Sequence, residues 1–200
     1  MARRLAWERA LGLFRSMATG GVPADAVARN AAVAACARGA QWLGALHLLQ
    51  DALALPAAEG PDTISFNTTI GACAKAGQWF WALRLLAAML PGRVSPDAVT
   101  YHSSISACER GARWVQALQL LVAARAGGLR LQAAGFNAAI AALSKVGRWE
   151  QACSLLYRMH QAGAEADLIS LNAALSACAG AARWEQALRV LASAPAACGG

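Results

Sequence analysis

The chain has 200 residues, 58% of them hydrophobic and 14% charged, and 18 basic against 11 acidic side chains leave a net charge of +7. Much of the apolar content is alanine, the strongest helix former, so an all-α protein is expected. Uncharged stretches such as Leu168 to Ala182 fall short of the roughly 20 apolar residues that a membrane span requires, so no membrane segment is expected. The positive balance favours an anionic partner, without choosing among RNA, a membrane surface and an acidic protein.

Six tryptophans, Trp7, Trp42, Trp79, Trp114, Trp149 and Trp184, are spaced 35, 37, 35, 35 and 35 residues apart. A fixed period of this length marks a solenoid, whose units are too small to bury their own apolar faces and must stack to do so. In chain order, a partial unit, 1–25, supplies one helix carrying Trp7, Ala10 and Met17, followed by a loop to Asp25. The segment Met1 to Leu5 is basic through Arg3 and Arg4, and with the pattern starting at Trp7 no detachable targeting segment is expected within the chain. Unit 26–62 carries Cys36, Gly39, Trp42, Ala45 and Leu48-Leu49, and takes its two extra residues in the segment Leu53 to Gly60, where insertion costs little.

Unit 63–97 shows the pattern most fully. Phe66, Ile70 and Cys73 lie on one face of a first helix, Gly77 suits the turn, and Trp79, Ala82, Leu85-Leu86 and Met89 form the stripe of a second helix before Pro96-Asp97. Unit 98–132 repeats it with Tyr101, Ile105, Cys108, Gly111, Trp114, Ala117 and Leu120-Leu121, and unit 133–167 with Phe136, Ile140, Leu143, Gly147, Trp149, Ala152, Leu155-Leu156 and Asp167. The incomplete unit 168–200 holds Leu171, Leu175, Cys178, Trp184 and Ala187. Cys36, Cys73, Cys108 and Cys178 share a register position with Leu143, which reads as a small apolar packing site. No C-x-x-C pair or zinc-type spacing occurs, so neither a metal nor a disulfide framework is expected, and a reducing compartment is.

Counting from the first residue of each unit, positions 2, 5, 9 and 13 of the first helix fall within about 80° of one another at 100° per residue. Position 5 reads Asn30, Asn67, His102, Asn137 and Asn172, and position 13 reads Arg38, Lys75, Arg110, Lys145 and Gly180. Position 9 is small (Ala34, Gly71, Ser106, Ala141, Ser176), and position 2 is Val27, Ile64, Val99, Ala134 and Ile169. Taken singly, an Asn or Asp near a helix start reads as a cap and a late cation as a partner for the helix dipole. Together they form a stripe able to meet a single-stranded RNA: a carboxamide offers a donor and an acceptor to an unpaired base edge, and a cation neutralises phosphate.

The stretch Ile64-Ser65-Phe66-Asn67-Thr68-Thr69-Ile70 with Lys75-Ala76-Gly77, Ala82-Leu83, Leu85-Leu86, Met89 and Pro96-Asp97 closely resembles the pentatricopeptide repeat, as does Val99-Thr100-Tyr101 opening the next unit. The resemblance covers essentially the whole chain; departures are the Trp of each second helix, the many alanines, Arg29 in place of an aromatic, and His102 and Gln132. It implies a right-handed α-solenoid of stacked helix hairpins, first helices on the concave side, binding single-stranded RNA at one base per repeat. It further implies that position 5 and the last residue of the unit choose the base together: Asn30 with Asp62, Asn67 with Asp97, His102 with Gln132, and Asn137 with Asp167, while the partner of Asn172 lies beyond the chain. Position 2 (Val27, Ile64, Val99, Ala134, Ile169) would sandwich the base, and Arg38, Lys75, Arg110 and Lys145 would lie near phosphate. The family's Asn and Asp pair prefers uridine, so the implied ligand reads U-U-N-U, with its 5′ end toward the protein's N-terminus. The resemblance also implies a plastid or mitochondrial setting, with protein partners compatible.

A tetratricopeptide-like scaffold holding a peptide or protein in its groove is the alternative; that family places its characteristic Trp in the first helix, whereas here Trp opens the second. His47, His102 and His160 occupy different repeat positions and have no H-x-E partner, and no phosphate-binding Gly-rich loop or Ser/His/Asp set occurs. No enzyme activity, cofactor, metal or small-molecule substrate is therefore expected.

Overall fold

The computed structural model describes residues 2–19, 25–55, 60–90 and 94–193. Residues 56–59, inside the segment expected to absorb the two-residue insertion, and 194–200, the tail of the last unit, lie outside the described residues. Among those described, the chain forms eleven α-helices and no strand: α1 (Ala2–Thr19), α2 (Ala26–Arg38), α3 (Trp42–Leu53), α4 (Thr63–Lys75), α5 (Trp79–Met89), α6 (Ala98–Arg110), α7 (Trp114–Ala126), α8 (Ala133–Lys145), α9 (Trp149–Gln161), α10 (Leu168–Gly180) and α11 (Trp184–Ser193). The fold is an all-α helical repeat. Tryptophan opens every second helix from α3 onward, but Trp7 does not: α1 begins five residues before it.

The helices gather into two compact units, Met1–Ala107 and Cys108–Gly200, the division falling within α6. In the first unit α3 is the element shared between neighbours. Ala45 and Leu48 pack with Ala32, Val33 and Cys36 of α2, while Leu46 and Leu49 pack with Phe66, Ile70 and Cys73 of α4, and Trp42 touches both clusters. No hairpin closes a core alone, which is the packing that a 35-residue unit requires. In the second unit the same register positions are buried: Ile140 and Leu143 of α8, Ala152, Leu155, Leu156 and Met159 of α9, and Leu171, Ala174 and Cys178 of α10. Cysteine and leucine do share one packing position, since Cys36, Cys73, Cys108, Leu143 and Cys178 are all fully buried.

Cys153 stands apart, with its Sγ 3.7 Å from Cys178 Sγ and its thiol pushed up to about 12 by burial and by the neighbouring sulfur. Among the described residues no three metal-ligating side chains gather, and no helix is long and apolar enough to cross a membrane.

A second stacking device is confined to one register position. Arg148 lies with its guanidinium 4.8 Å from the ring centre of Trp114, and Arg183 lies 5.4 Å from that of Trp149, so in the second unit these two arginines, each just before a Trp, cover the Trp one repeat earlier. Such contacts are worth about 0.5–1 kcal/mol at exposed sites. The first unit has Gln41 and Gln78 at that position. There Trp7 instead lies against Gly39, where a Cβ would come within 2.5 Å of the indole ring.

Each first helix ends in the same way. The amide of the residue three beyond the helix bonds back to the carbonyl at the Cys or Leu packing position: Gln41 to Cys36 at 2.9 Å, Gln78 to Cys73 at 2.8 Å, Arg113 to Cys108 at 2.8 Å, Arg148 to Leu143 at 3.0 Å and Arg183 to Cys178 at 2.9 Å. This closure needs one left-handed residue just before it. The expected turn glycines meet that need only in part. Gly77 (φ 72°) and Gly147 (φ 69°) are left-handed, but Gly39 and Gly111 stand one residue too early, and the left-handed site is filled by Ala40 (φ 58°), Ala112 (φ 52°) and, in the last repeat, Ala182 (φ 55°). A Cβ there is strained, so Ala112→Gly should raise stability by about 0.5–1 kcal/mol and Gly147→Ala should lower it by a similar amount, as read from urea denaturation midpoints.

Candidate nucleic-acid interface

The interface is built from the residue preceding each first helix. Asp25 accepts the amide of Ala28 at 2.7 Å, and Asp62, Asp97 and Asp167 accept those of Ser65, Thr100 and Ser170 at 2.8 Å each. These aspartates are N-caps, as side chains of this type at a helix start are expected to be. The asparagines are not. Asn30, Asn67 and Asn137 lie one turn inside their helices and reach across to the cap of the next one: Asn30 Nδ2 donates to Asp62 Oδ2 at 2.9 Å, Asn67 Nδ2 to Asp97 Oδ1 at 3.1 Å, and Asn137 Nδ2 to both oxygens of Asp167 at 3.0 Å. The pairs named from the sequence as acting together are thus in direct contact at these three steps. Each pair also ties one first helix to the next, α2 to α4, α4 to α6 and α8 to α10.

A third member was missed by sequence reasoning. Ser65 Oγ donates to Asn30 Oδ1, and Thr100 Oγ1 donates to Asn67 Oδ1 at 2.6 Å, so in these two steps the carboxamide is held at both ends. At the third step Ser170 Oγ bonds instead to the main-chain oxygen of Asp167 at 2.7 Å, and Asn137 Oδ1 is buried without a partner. The signal was present as a hydroxyl three residues after each of these aspartates.

The His102 step is built differently. Gln132 is exposed and makes no side-chain cap bond; the amide of Gly135 bonds to its main-chain oxygen at 3.0 Å. His102 is half-buried, and its Nδ1 is buried without a partner. Asn172 is exposed on α10.

The aliphatic position supports a surface role. Val27 (75%), Ile64 (63%), Val99 (55%) and Ile169 (65%) are too exposed to serve the core, and Ala134 is exposed too. Position 9 is half-buried from Ala34 to Ala141 and exposed at Ser176. Arg38, Lys75, Arg110 and Lys145 are each the last residue of a first helix and are exposed. Lys145 is engaged, with Nζ 2.8 Å from Glu109 Oε1 and 3.1 Å from the main-chain oxygen of Glu109, so it serves the end of α6 rather than that of its own helix.

Burial pushes the carboxyls of Asp62, Asp97 and Asp167 up, but the backbone amide, the neighbouring Ser or Thr side chain and the asparagine amide outweigh it and leave each below the usual carboxylate value of 3.8. A carboxylate whose folded value is depressed stabilises the fold fully above its unfolded value, and the contribution disappears as pH falls through the folded one. Stability should therefore drop steeply below about pH 4. Asp97→Asn, which no longer titrates, should make that drop shallower in denaturant titrations run across pH 2–5.

No curated protein matches the chain. The PPR repeat family matches residues 61–110, and the PPR repeat matches residues 135–163. Among solved structures, the pentatricopeptide repeat protein PPR10 from maize superposes with a TM-score of 0.78 at 29% identity, over 93% of this chain and 26% of that one. PPR10 in complex with an 18-nt psaJ RNA element gives a TM-score of 0.77 at 30% identity, over 92% of this chain and 27% of that one. The PPR domain of Arabidopsis thaliana protein-only RNase P 1 in complex with tRNA, at 15% identity, shares the fold with a TM-score of 0.68 over 80% of this chain and 83% of that one. The chain spans about a quarter of the length of the PPR10 chains it matches. With a recurring Asp cap, an asparagine one turn into the helix and family matches over residues 61–110 and 135–163, the chain carries pentatricopeptide repeats.

Proposed function

We propose that this chain binds single-stranded RNA at one base per repeat, with a uridine-rich preference reading U-U-N-U from the steps of Asn30, Asn67, His102 and Asn137. The observation that carries the reading is the hydrogen-bonded pair of carboxamide and carboxylate beside an exposed aliphatic side chain, as at Asn67, Asp97 and Ile64. With one amide hydrogen spent on the aspartate, the asparagine keeps a second N–H and a further lone pair, a donor and acceptor side by side. Uracil presents the complementary edge, an imide N–H next to a carbonyl. The adjacent carboxylate favours that N–H and repels the lone pair that cytosine carries at the same atom. The flat face of the base packs on the aliphatic side chain, and the cations at the helix ends meet phosphate.

The binding of an RNA element by PPR10 supports the same class of ligand for this chain. The reading is that of a binding module with no chemistry of its own, serving RNA metabolism in a plastid or mitochondrion, with the RNA 5′ end toward Val27.

Titration of the purified chain with uridine, cytidine and adenosine homopolymers should show saturable binding that favours uridine. With four helix-end cations engaged, log affinity should fall against log salt with a slope of about −2 to −3. Absence of RNA binding at physiological salt by a folded chain would leave a helical scaffold for a peptide or protein. In a second experiment Asn67→Thr, with Asp97 kept, should move the preference at that step from U toward G, as the family's pairing implies; an unchanged preference would remove the code from this chain.

A further inference from the structure

We infer that the hydroxyl at the third residue of the following first helix, Ser65 for Asn30 and Thr100 for Asn67, is a further specificity-determining side chain of each step, acting as a positioning residue for the carboxamide. The inference rests on the RNA-binding reading above and adds a third position to the two that carry the base choice there. A carboxamide has two nearly isosteric ends, and what it offers a base depends on which end faces where. The carboxylate can only accept, so Asp97 draws Nδ2 toward itself. One bond of this kind leaves the amide free to pivot about it. Thr100 removes that freedom by donating to Oδ1 at 2.6 Å, so plane and sense are both set before a base arrives.

The hydroxyl is itself well placed for exchange. Thr100 Oγ1 accepts the amide N–H of Asp97 at 3.0 Å and lies 2.8 Å from Asp97 Oδ1 as well as 2.6 Å from Asn67 Oδ1. It has a single hydrogen and two oxygens to give it to. When the imide N–H of uracil donates to Asn67 Oδ1, the hydroxyl hydrogen turns to the carboxylate and no polar group is stranded. Cytosine has no hydrogen at that atom, so its arrival brings no donor to replace the hydroxyl. Ser65 repeats the arrangement, with Oγ 2.8 Å from Asp62 Oδ1 and bonded to Asn30 Oδ1.

The chain carries its own graded series. At the Asn137 step the carboxylate is present but the hydroxyl of Ser170 is turned away, leaving Oδ1 unheld. At the His102 step the corresponding residues are Gln132 and Gly135, and neither a carboxylate nor a hydroxyl is available. Discrimination of U from C should therefore be greatest at the Asn30 and Asn67 steps, smaller at Asn137 and least at His102.

The test uses the full chain with Thr100→Val, which keeps the shape of this buried side chain and removes the hydroxyl, Thr100→Ser, which restores it, and Ser65→Ala. Each is titrated by competition with a U-rich single-stranded RNA and with the same RNA carrying one U→C change at each step in turn, and thermal melts establish that each is folded. The expected result is that Thr100→Val loses about three- to tenfold of the U over C preference at the Asn67 step only, Thr100→Ser retains it, and Ser65→Ala shifts the loss to the Asn30 step. A general loss of stability would weaken all RNAs alike and leave these ratios in place. Unchanged ratios in both hydroxyl-deleting variants, with wild-type binding still favouring uridine, would overturn the inference alone. Absence of any uridine preference in the wild-type chain would overturn the RNA reading and the inference with it.

Discussion

The structure depends on one carboxylate doing two jobs. An aspartate just ahead of a first helix must satisfy amides that have no partner inside that helix. A carboxylate has about four lone-pair directions, so capping leaves capacity unspent. In this chain the remainder is taken by the asparagine of the preceding first helix, at 2.9 to 3.1 Å in three steps. The bond that starts one helix therefore also locks the previous helix beside it. The groups proposed to face a base are the same ones that set the spacing between neighbouring first helices, and recognition and architecture share their chemistry.

This sharing explains why the His102 step changes in several places together. Without the aspartate, Gln132 leaves the start of α8 uncapped by a side chain, and the third residue, which elsewhere carries a hydroxyl, is Gly135. Removing the carboxylate removes the reason for both its partners. Helix α8 nevertheless forms, because Ile140 and Leu143 are fully buried and their packing outweighs a missing cap worth about 1 kcal/mol. In the first unit, packing likewise tolerates one departure: Arg29, standing where the next three repeats have an aromatic, is nine-tenths buried in α2.

The tryptophan that announces the period is less uniform in its role than in its spacing. In the second unit Trp114 and Trp149 lie under arginines of the next repeat, while in the first Trp7 lies against the backbone of Gly39. A planar guanidinium and a glycine without a Cβ are two different ways to cover the outer face of a half-exposed indole.

Local chemistry made much of this legible beforehand. Trp79, Ala82, Leu85 and Met89 repeat at helical spacing because a 35-residue unit must bury one face against each neighbour, and that burial recurs in α3, α5, α7 and α9; the Asp and Asn pairs were visible because their spacing recurs too. The amino-acid order by itself determined the helical class, the positions of the helices after the first, and which side chains share a register position. Only the tertiary structure decided that Asn67 is no cap but reaches 30 residues ahead to Asp97, that Thr100 closes the group, that Ala40 and Ala112 rather than the glycines before them take the left-handed turn, and that Lys145 serves the end of α6. Periodicity specifies which face a residue occupies. The partner of a polar group depends on how closely the next helix approaches, which is set by packing between repeats and is written at no single position.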